Sequence, residues 1–363
     1  MNLLARIFRK TNAIDLGAPA VARDPFPHYE ALRRAGSVQY LAHHHAWIVL
    51  GYDDVHFALT HPSLFSNRPY AEVDAVLLAA DPPAHTASRR IIARYFAPDA
   101  IEPLCAFAEE HAVSLLRPEM DVVRDYSLPL SEAVAARLLG FDDAAVEAIR
   151  AAHAATPELA PYTRALDRIA ERAAMYGRLR ADGLGDAEVR SLIRLLWLAA
   201  TTTTERVIAR CVLRLLQHED MRRTLERDPA LIPGFVEEVL RLHPPELMVP
   251  RIAAEEVPLG GRTIPAGAAV YLCVAAANRD PAKFENAPAL LIDRAGPRHL
   301  TFGFGIHHCV GAALGRRELA TAVRTLLTRA PRFRAVTPLA DIVFWSTMTA
   351  NAIERLVLDT GRS

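Results

Sequence analysis

The sequence predicts a helix-dominated fold with small peripheral β-sheets. Residues 100 to 243 keep a helical rhythm and are rich in Ala, Leu, Arg and Glu, all good helix formers except where packing overrides them. Within them, 186 to 217 holds neither glycine nor proline and suits one long helix. Beyond Pro244-Pro245, short β-prone runs alternate with Gly and Pro and are too brief for a large sheet.

Taken in order, Asp24-Pro25 is expected to cap a helix that ends at Gly36. Val38 to Tyr40 and Ala46 to Leu50 read as two short strands, followed by a helix capped at Asp53. Asp81-Pro-Pro opens a helix over roughly 85 to 96, which Pro98 stops. After the helical middle, strands are expected around Val257, Thr263 and from Ala268 to Ala276, then a loop feeding a helix over 312 to 329. The tail from Phe333 to Leu358 has β-type stretches. No linker, charge run or repeat divides the chain, so 1–363 reads as a single domain.

The apolar fraction of 51% is ample for a core, and a formal net charge of zero gives no field to attract nucleic acid or another polyanion. Cys105, Cys211, Cys273 and Cys309 are far apart and form no Cys-x-x-Cys, so no zinc site or disulfide framework is expected, and a reducing cytoplasm fits. Residues 1 to 10 are too short and charged for a membrane span or signal peptide and are expected to fray.

Phe302-Gly-Phe-Gly305-Ile-His307-His-Cys309-Val-Gly311 runs directly into the helix expected at 312. Most free cysteines are small buried hydrophobes. This one sits among glycines, which permit positive φ and close approach to a flat ligand, just before a helix N-terminus, which favours a thiolate. The full pattern Phe-x-x-Gly-x-His-x-Cys-x-Gly resembles the haem-binding loop of the cytochrome P450 family, in its soluble bacterial branch. The resemblance covers about 24–358 and implies that family's triangular helical prism. It also implies a haem b cofactor (iron protoporphyrin IX) with Cys309 as the iron ligand, Gly305 and Gly311 letting the loop pass beneath the ring, and Phe302 packed against haem and thiolate. Gly315 stands where the family usually has Ala.

Further residues match the family pattern. His85 and Arg89, four apart after Asp81-Pro-Pro, together with Arg251 and His307, resemble its haem-propionate contacts, for which cationic forks are suited. Glu238-x-x-Arg241 shares a helix face and, with Arg294, resembles its structural Glu-Arg-Arg cluster. Arg89, Arg90, Arg94, Arg316 and Arg317 fall on the two helices expected behind the cysteine, where the family docks an acidic ferredoxin.

The oxygen-binding segment departs from the pattern. Ala199-Ala200-Thr201-Thr202-Thr203-Thr204 aligns with the family's Ala-Gly-x-acid-Thr, placing Thr203 at the alcohol and Thr202 at the acid. Glu205 lies three positions beyond and faces elsewhere on the helix. Four β-branched residues in sequence cost helix propensity, and their hydroxyls are expected to bond the preceding turn and open it. Two segments that roof the family's pocket, 66 to 81 and 141 to 186, are short here and imply a wide mouth.

The resemblance implies a cytoplasmic, monomeric monooxygenase that uses dioxygen and an external ferredoxin-type donor to oxidise an organic substrate. That substrate is expected to be a natural-product intermediate, bulky or tethered to a carrier, with neither nucleic acid nor membrane as partner. Ala199 is expected above the haem, with Tyr70, Leu247, Met248, Val249, Thr347 and Met348 contacting substrate. Loss of the acid leaves open a peroxide-driven, coupling or dehydratase chemistry. A non-catalytic haem sensor is the reading of another class.

Overall fold

The computed structural model describes residues 11, 12, 14–71, 73–155 and 158–362. The reading of residues 1 to 10 lies outside them. The described helices are α1 Pro19–Arg23, α2 Phe26–Ala35, α3 Tyr52–Thr60, α4 Ala84–Ala93, α5 Pro98–Ser114, α6 Leu128–Leu139, α7 Asp143–Ala155, α8 Leu159–Ile169, α9 Ala174–Ala181, α10 Asp186–Gln217, α11 Glu219–Arg227, α12 Ile232–Leu242, α13 Val274–Ala277 and α14 Ala312–Arg329. The strands are β1 Thr11–Asn12, β2 Val38–Leu41, β3 Ala46–Val49, β4 Phe65–Ser66, β5 Glu119–Asp121, β6 Val249–Ala253, β7 Val257–Leu259, β8 Arg262–Ile264, β9 Ala269–Leu272, β10 Arg334–Ala335, β11 Phe344–Ser346, β12 Asn351–Ile353 and β13 Val357–Asp359.

The chain divides into two compact units. The first gathers the described residues up to Pro69, Glu237–Cys309 and Val343–Glu354. Its sheet has the order β1-β2-β3-β9-β6-β4. β3 runs parallel to β9, pairing Trp47 with Val270, and β6 runs antiparallel to β9, pairing Arg251 with that same Val270. One apolar cluster joins Val49, Phe65, Val270 and Phe284, and another joins Tyr29, Ile48, Leu247, Met248 and Cys273. The β7–β8 hairpin turns through Gly260 and Gly261, at φ +54° and +71°, a pair of positive φ values that suits a two-residue hairpin loop.

Three expectations are corrected here. Asp24 does not cap α2; it follows α1, and Pro25 stands at the N-cap of α2. Asp53 lies in the first turn of α3, whose N-cap is Gly51, and the distant Asp280 carboxylate accepts the Tyr52 N–H at 2.9 Å. The strand expected through Ala276 stops at Leu272, because the buried, small Val274–Ala277 closes a helical turn instead.

The second unit contains Tyr70–Val236, Val310–Ile342 and the described residues from Arg355. α10 is its longest helix, about 48 Å at 1.5 Å per residue, and packs against α6, α8, α9 and α14. It runs unbroken through the threonines. β5 and a π-helical stretch, Val122–Ser127, interrupt the helical middle; β5 pairs with β13, a partner more than 200 residues away that local propensity does not reveal. Among the described residues no helix is long and apolar enough to cross a membrane.

Candidate active site

On the first unit, the loop before Cys309 folds back on itself. The Gly303 N–H donates to Leu300 O at 2.8 Å and the Cys309 N–H to Phe302 O at 2.8 Å. Gly303 and Gly305 take φ of +67° and +68°. A Cβ on Gly305 would also stand 2.8 Å from the Leu59 carbonyl oxygen, so both conformation and space require glycine there. Gly311, at φ −85°, carries no such demand from the protein; a Cβ would meet the Phe96 ring at an ordinary 3.5 Å.

The Cys309 side chain is exposed, whereas Cys105, Cys211 and Cys273 are buried. Burial pushes up the Cys105 and Cys211 thiols and raises Cys273 to about 12. Cys309 is therefore the cysteine accessible as a thiolate ligand, and a soft sulfur donor in a glycine loop fits a haem iron. Arg251 is buried on β6, with one guanidinium N–H donating to Pro250 O at 2.8 Å, and His307 ends the short 3₁₀ turn Gly305–His307.

Behind the loop, Glu238, Arg241 and Arg294 meet. Arg241 grips both carboxylate oxygens of Glu238 at 2.6 and 2.9 Å, and Arg294 Nε donates to the same group at 3.0 Å. The Leu291 N–H adds a fourth donor at 2.9 Å. Arg241 spends its remaining N–H groups on the carbonyls of Asn278, Ala287 and Ala289. Burial raises the Glu238 pKa, but the hydrogen bonds and charge of Arg241, with Leu291 and Arg294, outweigh it and hold the carboxyl below its usual value. Such a pair costs little only because every donor is matched.

The residues expected to meet substrate are partly brought together. Leu247 donates its N–H to Thr349 O at 2.7 Å, which joins the 247–249 segment to the loop between β11 and β12. Leu247 and Met248, however, are only 2% and 1% exposed and belong to the core, so their side chains serve packing. Val249, Thr347 and Met348 keep partial exposure, and Thr347 Oγ1 accepts the Ala350 N–H at 3.1 Å to shape its turn.

On the second unit, Ala199, Thr202 and Thr203 share the less buried face of α10, while Thr201 is buried. The Thr201, Thr202 and Thr203 hydroxyls donate to the carbonyls of Trp197, Leu198 and Ala199 at 2.7–2.8 Å. The back-bonding is as expected, but it does not open the helix. Burial pushes the Glu205 carboxyl up to about 7, against the Arg206 charge and with that of Glu132. His85 and Arg89 lie one turn apart on α4; burial, then the Arg89 charge, lowers the His85 pKa, with Asp81 opposing. Tyr70 ends a 3₁₀ turn, Arg68–Tyr70, and is half-buried. Of the basic set, Arg94 is paired with Asp182 at 2.8 Å and Arg317 with Glu102, while Arg90 is exposed.

Sequence reasoning missed two features of this unit. Glu318 is buried on α14, its Oε1 has no hydrogen-bond partner, and burial pushes its carboxyl up to about 8 despite the Ser131 hydroxyl. Asp74 is completely buried in the segment between Tyr70 and α4. Neither carries a motif; only the placing of an acid inside an apolar helix face or a short loop hints at it.

A family model described as Cytochrome P450 matches residues 230–337. Cytochrome P450 109 of Bacillus spizizenii is 30% identical over 84% of this chain and 84% of its own. The chain belongs to the cytochrome P450 family. Its members are haem-containing oxidoreductases, and this P450 is accordingly an enzyme of the monooxygenase type. Cytochrome P450 monooxygenase PikC of Streptomyces venezuelae is 32% identical over 88% of this P450 and 87% of its own chain. The structure of P450BioI in complex with hexadec-9Z-enoic acid ligated acyl carrier protein is also similar, at TM-score 0.81 and 27% identity over 94% of this P450 and all of that chain.

Proposed function

We propose that this P450 binds haem b through Cys309 and oxidises a natural-product intermediate, using dioxygen and electrons from an external ferredoxin-type donor. The observation that carries the reading is the exposed Cys309 at the end of a loop whose Gly305 has a positive φ and no room for a Cβ. When bound, the haem supplies the iron centre for reductive dioxygen chemistry, with the thiolate donating electron density to it. Arg251, His307, His85 and Arg89 hold the two propionates. Ala199 leaves room on α10, and Thr202 and Thr203 hold and pass protons through their hydroxyls. We take the chain to be one domain, a reading supported by relatives that match over 84% and 88% of it.

An acidic donor is supported by the basic residues of α4 and α14, of which Arg90 is exposed; Arg94 and Arg317 are engaged by Asp182 and Glu102. A carrier-tethered substrate is supported by the likeness to P450BioI and its acyl carrier protein complex. Candidate acyl or peptidyl intermediates, free and carrier-bound, are to be screened by haem Soret shift and compared by calorimetry. Tighter binding of the tethered form is expected. Equal affinities would remove the tether from the proposal.

A second reading rests on Thr202, which stands where the family has an acid. A peroxide-driven or redox-neutral reaction makes less demand on proton delivery. Turnover with peroxide but none with a ferredoxin system would select it.

A further inference from the structure

Three segments of the second unit converge on one guanidinium. Arg194, on α10, donates through Nε to Val73 O at 2.9 Å, through Nη1 to both oxygens of Asp167 on α8 at 2.5 and 2.6 Å, and through Nη2 to the Ser191 hydroxyl at 3.4 Å. Ser191, three residues earlier and so on the same helix face, donates to Asp74 Oδ1 at 2.5 Å. The Asp74 carboxylate also accepts the N–H groups of Val76, Leu77 and Leu78 at 3.2, 2.6 and 2.6 Å.

The two sides of this cluster differ in strength. On the loop side, Asp74 is 0% exposed and has four donors, so releasing it would strand a buried charge. On the α8 side, the Asp167 side chain is 32% exposed, and water can replace Arg194 as its partner. This weaker side is backed by Trp197 Nε1 donating to the Tyr162 hydroxyl at 3.2 Å and by the buried Thr163, Ala165 and Leu166 of α8.

We propose that Arg194 is a positioning residue that clasps α8 to a fixed 73–79 loop, and that opening of the Arg194–Asp167 pair sets how fast bulky ligands are admitted. This rests on the P450 reading above, in which both segments cover the substrate pocket. The loop stays anchored to α10 through Asp74 and Ser191, and α8 is the part that yields.

The test uses holoenzyme, with imidazole as a small probe and 4-phenylimidazole as a bulky one, followed by stopped-flow at the Soret band. Asp167→Asn should raise both association and dissociation rates of 4-phenylimidazole roughly fivefold, while imidazole rates stay unchanged. Asp167→Glu should restore the original rates. Added salt should speed the bulky probe in the unaltered protein and not in Asp167→Asn, because the pair is partly exposed to screening. Hydrogen exchange should quicken across 159–169 in Asp167→Asn, with 73–79 unchanged. Unaltered rates for the bulky probe, equal acceleration of both probes, or loosening of 73–79 together with α8 would each overturn the clasp. A chain that bound no haem would give no azole spectrum even unmutated, which defeats the P450 reading; exchange then decides the clasp on its own.

Discussion

The Cys309 loop and the threonine run of α10 are held in place by different means. In the loop, the backbone itself is constrained: two glycines at positive φ, N–H groups turned back onto Leu300 and Phe302, and a carbonyl of α3 where a Cβ would go. In the run, the backbone is an ordinary helix, and side-chain hydroxyls bond the carbonyls one turn back. Gly305 in the first region cannot change without moving the chain. A residue in the second can change its chemistry at little structural cost. The loop carrying the proposed iron ligand is thus tied to its backbone fold, while the threonines proposed to handle protons are not.

Removing the sulfur should have the largest effect. Cys309→Ala is expected to abolish the red-shifted Soret band of the reduced, carbon-monoxide-bound protein, whereas Cys105→Ala should keep it. Survival of the band in Cys309→Ala would break the comparison at its root.

Next comes the support behind the loop. Arg241→Ala leaves the Glu238 charge buried with fewer donors, and denaturant titration should show a loss of about 3–5 kcal/mol. A loss below about 1 kcal/mol would mean that the loop side is less tightly built than its hydrogen bonds suggest.

Glu318 tests whether the second unit carries a comparable constraint. Its folded pKa of about 8 lies above the ordinary 4.5, so the folded state retains a proton that the unfolded chain releases. This contribution to stability is complete below about pH 4.5 and is lost as pH rises towards about 8. Glu318→Gln stays neutral. It should lose about 2–3 kcal/mol less than the unaltered protein between pH 5 and 8, read from denaturation midpoints. Parallel curves for the two proteins would show that Glu318 does not retain its proton.

What the sequence made legible follows the same division. The Cys309 motif, the Glu238–Arg241–Arg294 group and α10 itself could be read because each depends on local spacing or on a fixed pattern. The pairing of β5 with β13 and the meeting of Asp74, Ser191, Arg194 and Asp167 join residues more than 20, and often more than 100, apart, and no periodicity encodes them. Leu247 and Met248 lie in the core, and an apolar residue beside a site and an apolar residue in the core look alike in sequence.

The smallest expected effect concerns the threonines themselves. Thr202 lies on the less buried face of α10, one residue from Thr203, and its hydroxyl is already engaged with Leu198 O. A hydroxyl so engaged passes protons less readily than a carboxylate, whose pKa lies far closer to neutrality. Electrons consumed should therefore exceed product formed in the native enzyme, with peroxide released. Thr202→Asp should lower the electrons used per product by roughly threefold, a change of ~0.7 kcal/mol in the competing barriers. Glu205, with a carboxyl near neutrality but Glu132 and Arg206 as its charged neighbours, should not substitute, so Glu205→Gln should leave the ratio unchanged. The measurement is reductant oxidation against product and peroxide, with a substrate found by Soret shift. Tight coupling in the native enzyme that Thr202→Asp does not alter would show that the α10 face is as fixed in function as the cysteine loop, and that its protons come from elsewhere.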